Sequence, residues 1–162
     1  PAAADDSART DRLVRGLARA LPLDEAGRAE WRAWFAFWSL AAHDARLRAV
    51  HARFYASFVD AVQEELVALR STTLRAPTSY DKLAAEPTRV LADALVAAVD
   101  GIGVRATLEP AAWPAARQRS TLAALASPLL AQFLGADPDG PPNGAHPTTG
   151  SNQTGTDVRD QA

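Results

Sequence analysis

The stretch Trp31-Arg32-Ala33-Trp34-Phe35-Ala36-Phe37-Trp38 holds three of the chain's four tryptophans and two of its five phenylalanines. Trp31, Trp34, Phe35 and Trp38 recur at i, i+3, i+4 and i+7, the spacing that places side chains on one stripe of an α-helix. Each such ring can bury roughly 150–250 Å². The stripe is therefore either a dense core wall or the lining of an apolar hollow, and spacing alone leaves both open.

Outward from this stretch the helical period persists and strand-like alternation is scarce. Upstream, Leu13, Val14, Leu17, Ala20 and Leu21 form the apolar face of a first helix over Ser7 to Leu21. Pro22 ends it, because proline disfavours helical geometry in the residue before it. Asp24 reads as the N-cap of the aromatic helix, with Glu25 complementing the dipole in its first turn, and that helix runs to Ala42. His43-Asp44 makes a short break, and Asp44 caps a third helix over Ala45 to Leu69. This one carries two adjoining stripes: Leu47, Val50, Phe54 and Ala61 on one, and His51, Tyr55, Phe58, Val62, Leu66 and Leu69 on the other.

Ser71 to Ser79 reads as a loop broken by Pro77, and a short helical turn fits Tyr80 to Ala85. Pro87 suits the start of a fourth helix, whose apolar face is Val90, Leu91, Ala94, Leu95, Ala98, Val99 and Ile102. Gly101 and Gly103 weaken that helix by about 1 kcal/mol each but permit a close helix–helix approach. Pro110 ends it. Trp113-Pro114 opens a last helix to Leu134, lined by Leu122, Leu125, Leu129 and Phe133. Pro128 is expected to kink or split it, and Gly135 reads as its stop. Residues 136–162 have almost nothing to bury and read as a disordered tail. The expected architecture is all-α, one bundle over residues 5–135. The generous Leu/Val/Ile content of the last two helices suits an intermolecular four-helix bundle between two copies.

Composition narrows the function. A chain of 162 residues suits one domain, and 48% hydrophobic residues suffice for a core. A net charge of −2 and a pI of 5.9 argue against a nucleic-acid-binding surface on this chain, which would carry a basic patch and a pI above about 9. Of 17 basic residues only Lys82 is a lysine, and the Arg/Ala bias fits a GC-rich bacterial genome. The absence of cysteine excludes disulfides, a thiolate nucleophile and cysteine-ligated zinc. No apolar run approaches the ~18 residues of a membrane span and no signal peptide is visible, so a cytoplasmic location without a membrane partner is expected. The chain contains no methionine and opens Pro1-Ala2-Ala3-Ala4-Asp5, which leads us to expect further sequence upstream.

Catalytic candidates are few. The three histidines are scattered, and no phosphate-cradling glycine loop or HExxH motif is present. Glu64 and Glu65 are sequence neighbours that do not converge on one helix face. Asp93 and Asp100 share a face and read as residues that cap, pair with arginine or face solvent. Arg12, Arg15 and Arg19 lie near one side of the first helix, where a solvated face is the plain reading. No catalytic residue, metal site or cofactor is expected.

Beyond these physical readings, the segment from Glu30 to Trp38, followed by Leu47-Arg48-Ala49-Val50-His51-Ala52-Arg53-Phe54-Tyr55, resembles the C-terminal half of a tetracycline-repressor (TetR) family regulator, in the subgroup with a BetI-like C-terminal domain. Ala97-Ala98-Val99-Asp100-Gly101-Ile102-Gly103 is similar to that family's ALVDGL segment. Leu108-Glu109-Pro110 and Trp113-Pro114-Ala115-Ala116-Arg117-Gln118 resemble its proline-rich approach to the last helix. The resemblance implies a homodimeric all-helical regulator, most simply a repressor, with a small-molecule pocket and a dimer interface in this half. Operator DNA would be read by a helix-turn-helix domain that has no counterpart ahead of Leu13.

On that basis Trp31, Trp34, Phe35 and Trp38 are expected to line one wall of a ligand cavity, and Phe54, Tyr55 and Phe58 the other. His51 and Tyr55 would be its polar handles. The implied effector is small and apolar or aromatic; a cation against the indole faces would find Glu30 as its one obvious carboxylate. Leu91, Leu95, Val99, Ile102, Leu122, Leu125 and Leu129 are candidates for the dimer interface, with core and interface roles mixed among them. The competing reading is a fully packed helical bundle that serves protein–protein association only.

Overall fold

A computed structural model describes residues 2–73 and 85–135. Within them the chain is all helix: α1 (Ala2–Ala18), α2 (Glu25–Ala41), α3 (Ala45–Thr73), α4 (Ala85–Leu108) and α5 (Ala115–Gly135). The expected tail at 136–162 and the expected turn over 80–84 lie outside the described residues.

Local chemistry accounts for most boundaries. α1 begins earlier than expected, within the strong helix formers Ala2–Ala4, and ends three residues short of Leu21. There the backbone tightens: Arg19, Ala20 and Leu21 donate to the carbonyls of Gly16, Leu17 and Ala18 at 3.1–3.2 Å. These i→i−3 bonds satisfy the orphan carbonyls of the helix end before Pro22, which has no N–H to give. Asp24 caps α2 as expected, its Oδ1 accepting from the Gly27 N–H at 2.8 Å. Asp44 does the same for α3, accepting from the N–H groups of Arg46 and Leu47 at 2.7 and 3.2 Å.

α3 continues past the expected stop at Leu69 to Thr73, so the first three residues of the expected loop are helical. The Ser71 hydroxyl donates back to the Val67 carbonyl within this last turn. α5 is not split by Pro128. The bond that proline removes belongs to the Ala124 carbonyl. Ala124 and Pro128 both lie on the exposed side of α5, where a helix carbonyl without its donor can be solvated.

The core is aliphatic. Leu66 of α3, Leu95 and Val99 of α4, and Leu122 and Leu130 of α5 are essentially sealed from solvent, with α1 contributing Val14, Leu17 and Ala18. Of α3's two stripes, the one with Val62, Leu66 and Leu69 is buried, whereas Val50, Phe54 and Ala61 stay exposed. Val90, placed by period on the apolar face of α4, is exposed as well.

Gln118 ties the ends of the bundle together. It is 1% exposed, and its Nε2 donates to the carbonyls of Pro22 and Trp113 at 3.1 and 2.9 Å. The start of α5 is thus pinned to the α1–α2 turn. Trp113 is held between the guanidiniums of Arg105 and Arg117, 5.0 and 4.6 Å from its ring centre, a cation–π arrangement. Among the described residues no helix is long and apolar enough to cross a membrane.

Candidate functional site: an aromatic pocket between α2, α3 and α4

The aromatic stripe of α2 does not fill solid packing. Trp31, Trp34 and Trp38 border a cavity of about 200 Å³, and Phe54, Tyr55 and Phe58 of α3 close it from the other side. Six of the eight residues expected from the sequence are there. For scale, a 150 Å³ apolar cavity can take up a benzene molecule.

Trp31 is the most constrained of the rings. It is 7% exposed, and its indole N–H donates to the Ala20 carbonyl at 2.8 Å, holding the end of α1. Its six-membered ring lies against Gly103 of α4, where a Cβ would collide with three of its ring carbons. The close approach expected from the two glycines is thus made at Gly103; nothing approaches the corresponding position of Gly101. Trp38 meets Trp31 edge-to-face at 5.9 Å, and Trp34 lies against Phe54 of α3 at 4.6 Å.

Phe35 and His51 do not line the cavity, contrary to expectation. One helical step of about 100° separates Phe35 from Trp34, enough to turn it onto the core cluster, edge-on to Trp31 at 6.2 Å. His51 stands behind Tyr55, its ring stacked on the phenol at 4.3 Å. It supports the wall and leaves Tyr55 as the polar handle.

Asp100 is the residue sequence reading missed. It reads by period as a capping, arginine-paired or solvated carboxylate, yet it lines this cavity beside Val99. Its α4 neighbour Asp93 does pair with an arginine, Arg89, at 3.6 Å. Burial pushes the Asp100 carboxyl above its ordinary value, against the opposing pull of a hydrogen bond from Tyr55 and attraction to His51. Tyr55 is pushed up in turn, by burial first and then by the Asp100 charge and the same hydrogen bond. The only sequence signal was the i, i+3 offset of Asp100 from Gly103, which sets it near the face that meets Trp31. Glu30 and Arg19 complete the charged lining, both on exposed positions.

Among the described residues no cluster of three or more metal-ligating side chains occurs. What the lining offers is an apolar aromatic box with a few polar groups, the composition common to small-molecule pockets.

A family model for the C-terminal domain of BetI-type transcriptional repressors matches residues 9–131. The chain belongs to this family. No curated protein and no solved structure matches the chain. In this BetI-type domain the matched span starts inside α1 and ends inside α5, so it takes in every residue of the aromatic pocket. The family's proteins regulate transcription, which is the coarse function of the domain.

The candidate interface residues of the BetI-type domain divide. Leu95, Val99, Ile102 and Leu122 are buried within one chain and have no surface to offer a second copy. They belong to the core because α4 and α5 pack these faces against each other and against α1 and α3. Leu125 and Leu129 are 47% and 39% exposed, and Leu91 is half-buried.

Proposed function

We propose that this chain is the effector-binding and dimerisation part of a TetR-type repressor in the bacterial cytoplasm. A small apolar or aromatic ligand occupies the pocket bounded by Trp31, Trp34, Trp38, Phe54, Tyr55 and Phe58. Operator DNA is read by a helix-turn-helix domain outside this chain. The ligand alters DNA affinity to the extent that it binds the protein's two conformations unequally. The chain itself catalyses nothing.

The observation that carries the reading is the hollow beside the indole stripe. A bundle built only for association would fill that space, since interiors pack to the density of organic crystals. The second copy would seat on the α4 and α5 surface that keeps Val90, Leu125 and Leu129 in solvent, an exposure consistent with a buried partner.

Tryptophan fluorescence tests the pocket. Toluene, cyclohexanol and benzylamine, titrated singly into the chain, are expected to perturb emission saturably, and Trp34→Ala to abolish the response. No response to any of them, or an intact response in Trp34→Ala, overturns the pocket. Sedimentation tests the dimer: a monomer at tens of micromolar refutes it, and Leu125→Glu is expected to shift a dimer toward monomer.

A further inference from the structure

Two hollows share one partition. Outside the aromatic pocket, between α2 and the first half of α3, runs a groove of about 320 Å³ lined by Glu30, Ala33, Trp34, Phe37, Val50 and Phe54. Glu30, Trp34 and Phe54 also line the pocket. Trp34 and Phe54 therefore stand between groove and pocket, one ring from each helix, with centres 4.6 Å apart.

The six aromatic walls of the pocket are not equally fixed. Trp31 belongs to the buried core cluster, and Trp38, Tyr55 and Phe58 pack against it; Trp34 and Phe54 do neither. Trp31 is tethered further by its hydrogen bond to Ala20. Trp34 is held by ring contacts to Phe37, Trp38 and Phe54, and Phe54 stands at the surface. Exposed side chains change rotamer within nanoseconds, whereas a ring wedged into a close-packed interior has no room to turn.

The other edges of the pocket are braced. Gly27 lies so near the α1–α2 turn that a Cβ would come within 3.2 Å of the Pro22 Cα, and its N–H is bound by Asp24. Phe58 separates the pocket from a larger cavity, about 590 Å³, lined by residues of α1 and α3, and this ring is set against the core.

We propose that Trp34 and Phe54 are the door of the pocket. The two rings part, groove and pocket join, and the effector passes between α2 and α3. The inference rests on the aromatic pocket being the effector site. A door sets how fast a guest enters and leaves. A change that only raises its barrier slows association and dissociation by the same factor and leaves Kd as it was.

The test follows fluorobenzene exchange on the whole 162-residue chain by fluorine NMR, with Kd taken from tryptophan emission. Ala33→Trp adds a ring over the door from α2. Position 33 is exposed and lines the groove but not the pocket. Val50→Trp adds one from α3, at a position that likewise lines the groove alone. The added ring contact must be broken at each opening, so both rates are expected to fall roughly two- to tenfold, with Kd unchanged. Gly16→Leu narrows the α1/α3 cavity, at a position with open space for a Cβ, and is expected to leave both rates as they were.

Unchanged rates in both tryptophan variants, or slower exchange in Gly16→Leu, overturn the door and leave the pocket standing. A weaker Kd with unchanged association in both tryptophan variants overturns it too, because the added rings then act on the bound state and not on the barrier. Silence of the parent chain toward fluorobenzene and toluene alike overturns the pocket itself, and the door with it.

Discussion

The α4/α5 pair and the α2/α3 pair are built from different materials and pack to different ends. α4 and α5 are rich in alanine and leucine, and Leu95, Leu122 and Leu130 lose all contact with solvent. α2 and α3 carry the large rings, yet of the pocket-lining aromatics only Trp31 is fully buried, and Phe54 remains 48% exposed. Most of the large rings on α2 and α3 are thus not the residues that seal the core. Small and aliphatic side chains interdigitate closely across α4 and α5. Rigid rings set on one stripe of α2 cannot all interlock with those on α3, and the residual space is the cavity.

The largest expected effect sharpens this contrast directly. Leu122→Ala should cost about 2–5 kcal/mol, the range for deleting a leucine from a sealed core, read as a lower urea midpoint. Trp34→Ala removes a much larger side chain but should cost less than the roughly 3–5 kcal/mol of a core aromatic truncation, because Trp34 borders a hollow and is only partly buried. A Trp34→Ala penalty exceeding that of Leu122→Ala would mean that the rings are core after all.

Next in size is a close contact between α2 and α4. Gly103→Ala puts a methyl into the space held by the Trp31 ring, which is tethered by its hydrogen bond to Ala20. Overpacking of this kind costs about 1–3 kcal/mol. Near-ultraviolet circular dichroism should change with it, because the ring that moves is also a wall of the pocket. Gly101→Ala, with open space at its Cβ, should be neutral or stabilising and serves as the control.

The smallest effect is a change of slope. The Asp100 carboxyl lies above its ordinary value of 3.8 because of burial, so the folded state holds that proton more tightly than the unfolded one. The resulting stability is complete below the ordinary value and is lost as pH rises through the raised one. Asp100→Asn removes this loss. Denaturant midpoints of parent and variant should diverge as pH rises above about 4, with the variant gaining and the gap becoming constant toward neutrality. An identical pH profile in both would place Asp100 in water rather than at the pocket wall.

Much of the architecture was legible from local rules. Asp24 and Asp44 announced their caps and the period of α2 marked its aromatic stripe, because each depends on residues within a turn or two. The misses have one character. Phe35 and His51 share the stripes of their neighbours but turn away from the hollow. Pro128 does not split α5, because its missing bond falls on the solvent side. Val99 and Leu122 satisfy the pattern of an interface and of a core equally well. Asp100 looked like a surface acid. In each case what decides is which side of the helix the rest of the bundle covers.

By itself, then, the amino-acid sequence determined that the chain is helical, where most of its helices begin, and that three indoles share one side of the second. Helical period and capping chemistry are local, and local order reads directly from residue spacing. Only tertiary structure decided that those indoles border an empty space, that Gly103 admits Trp31 against α4, and that Asp100 turns inward to meet Tyr55. A helical wheel assigns a direction around one axis but says nothing of what stands opposite, and burial, charge balance and cavity shape all arise between helices.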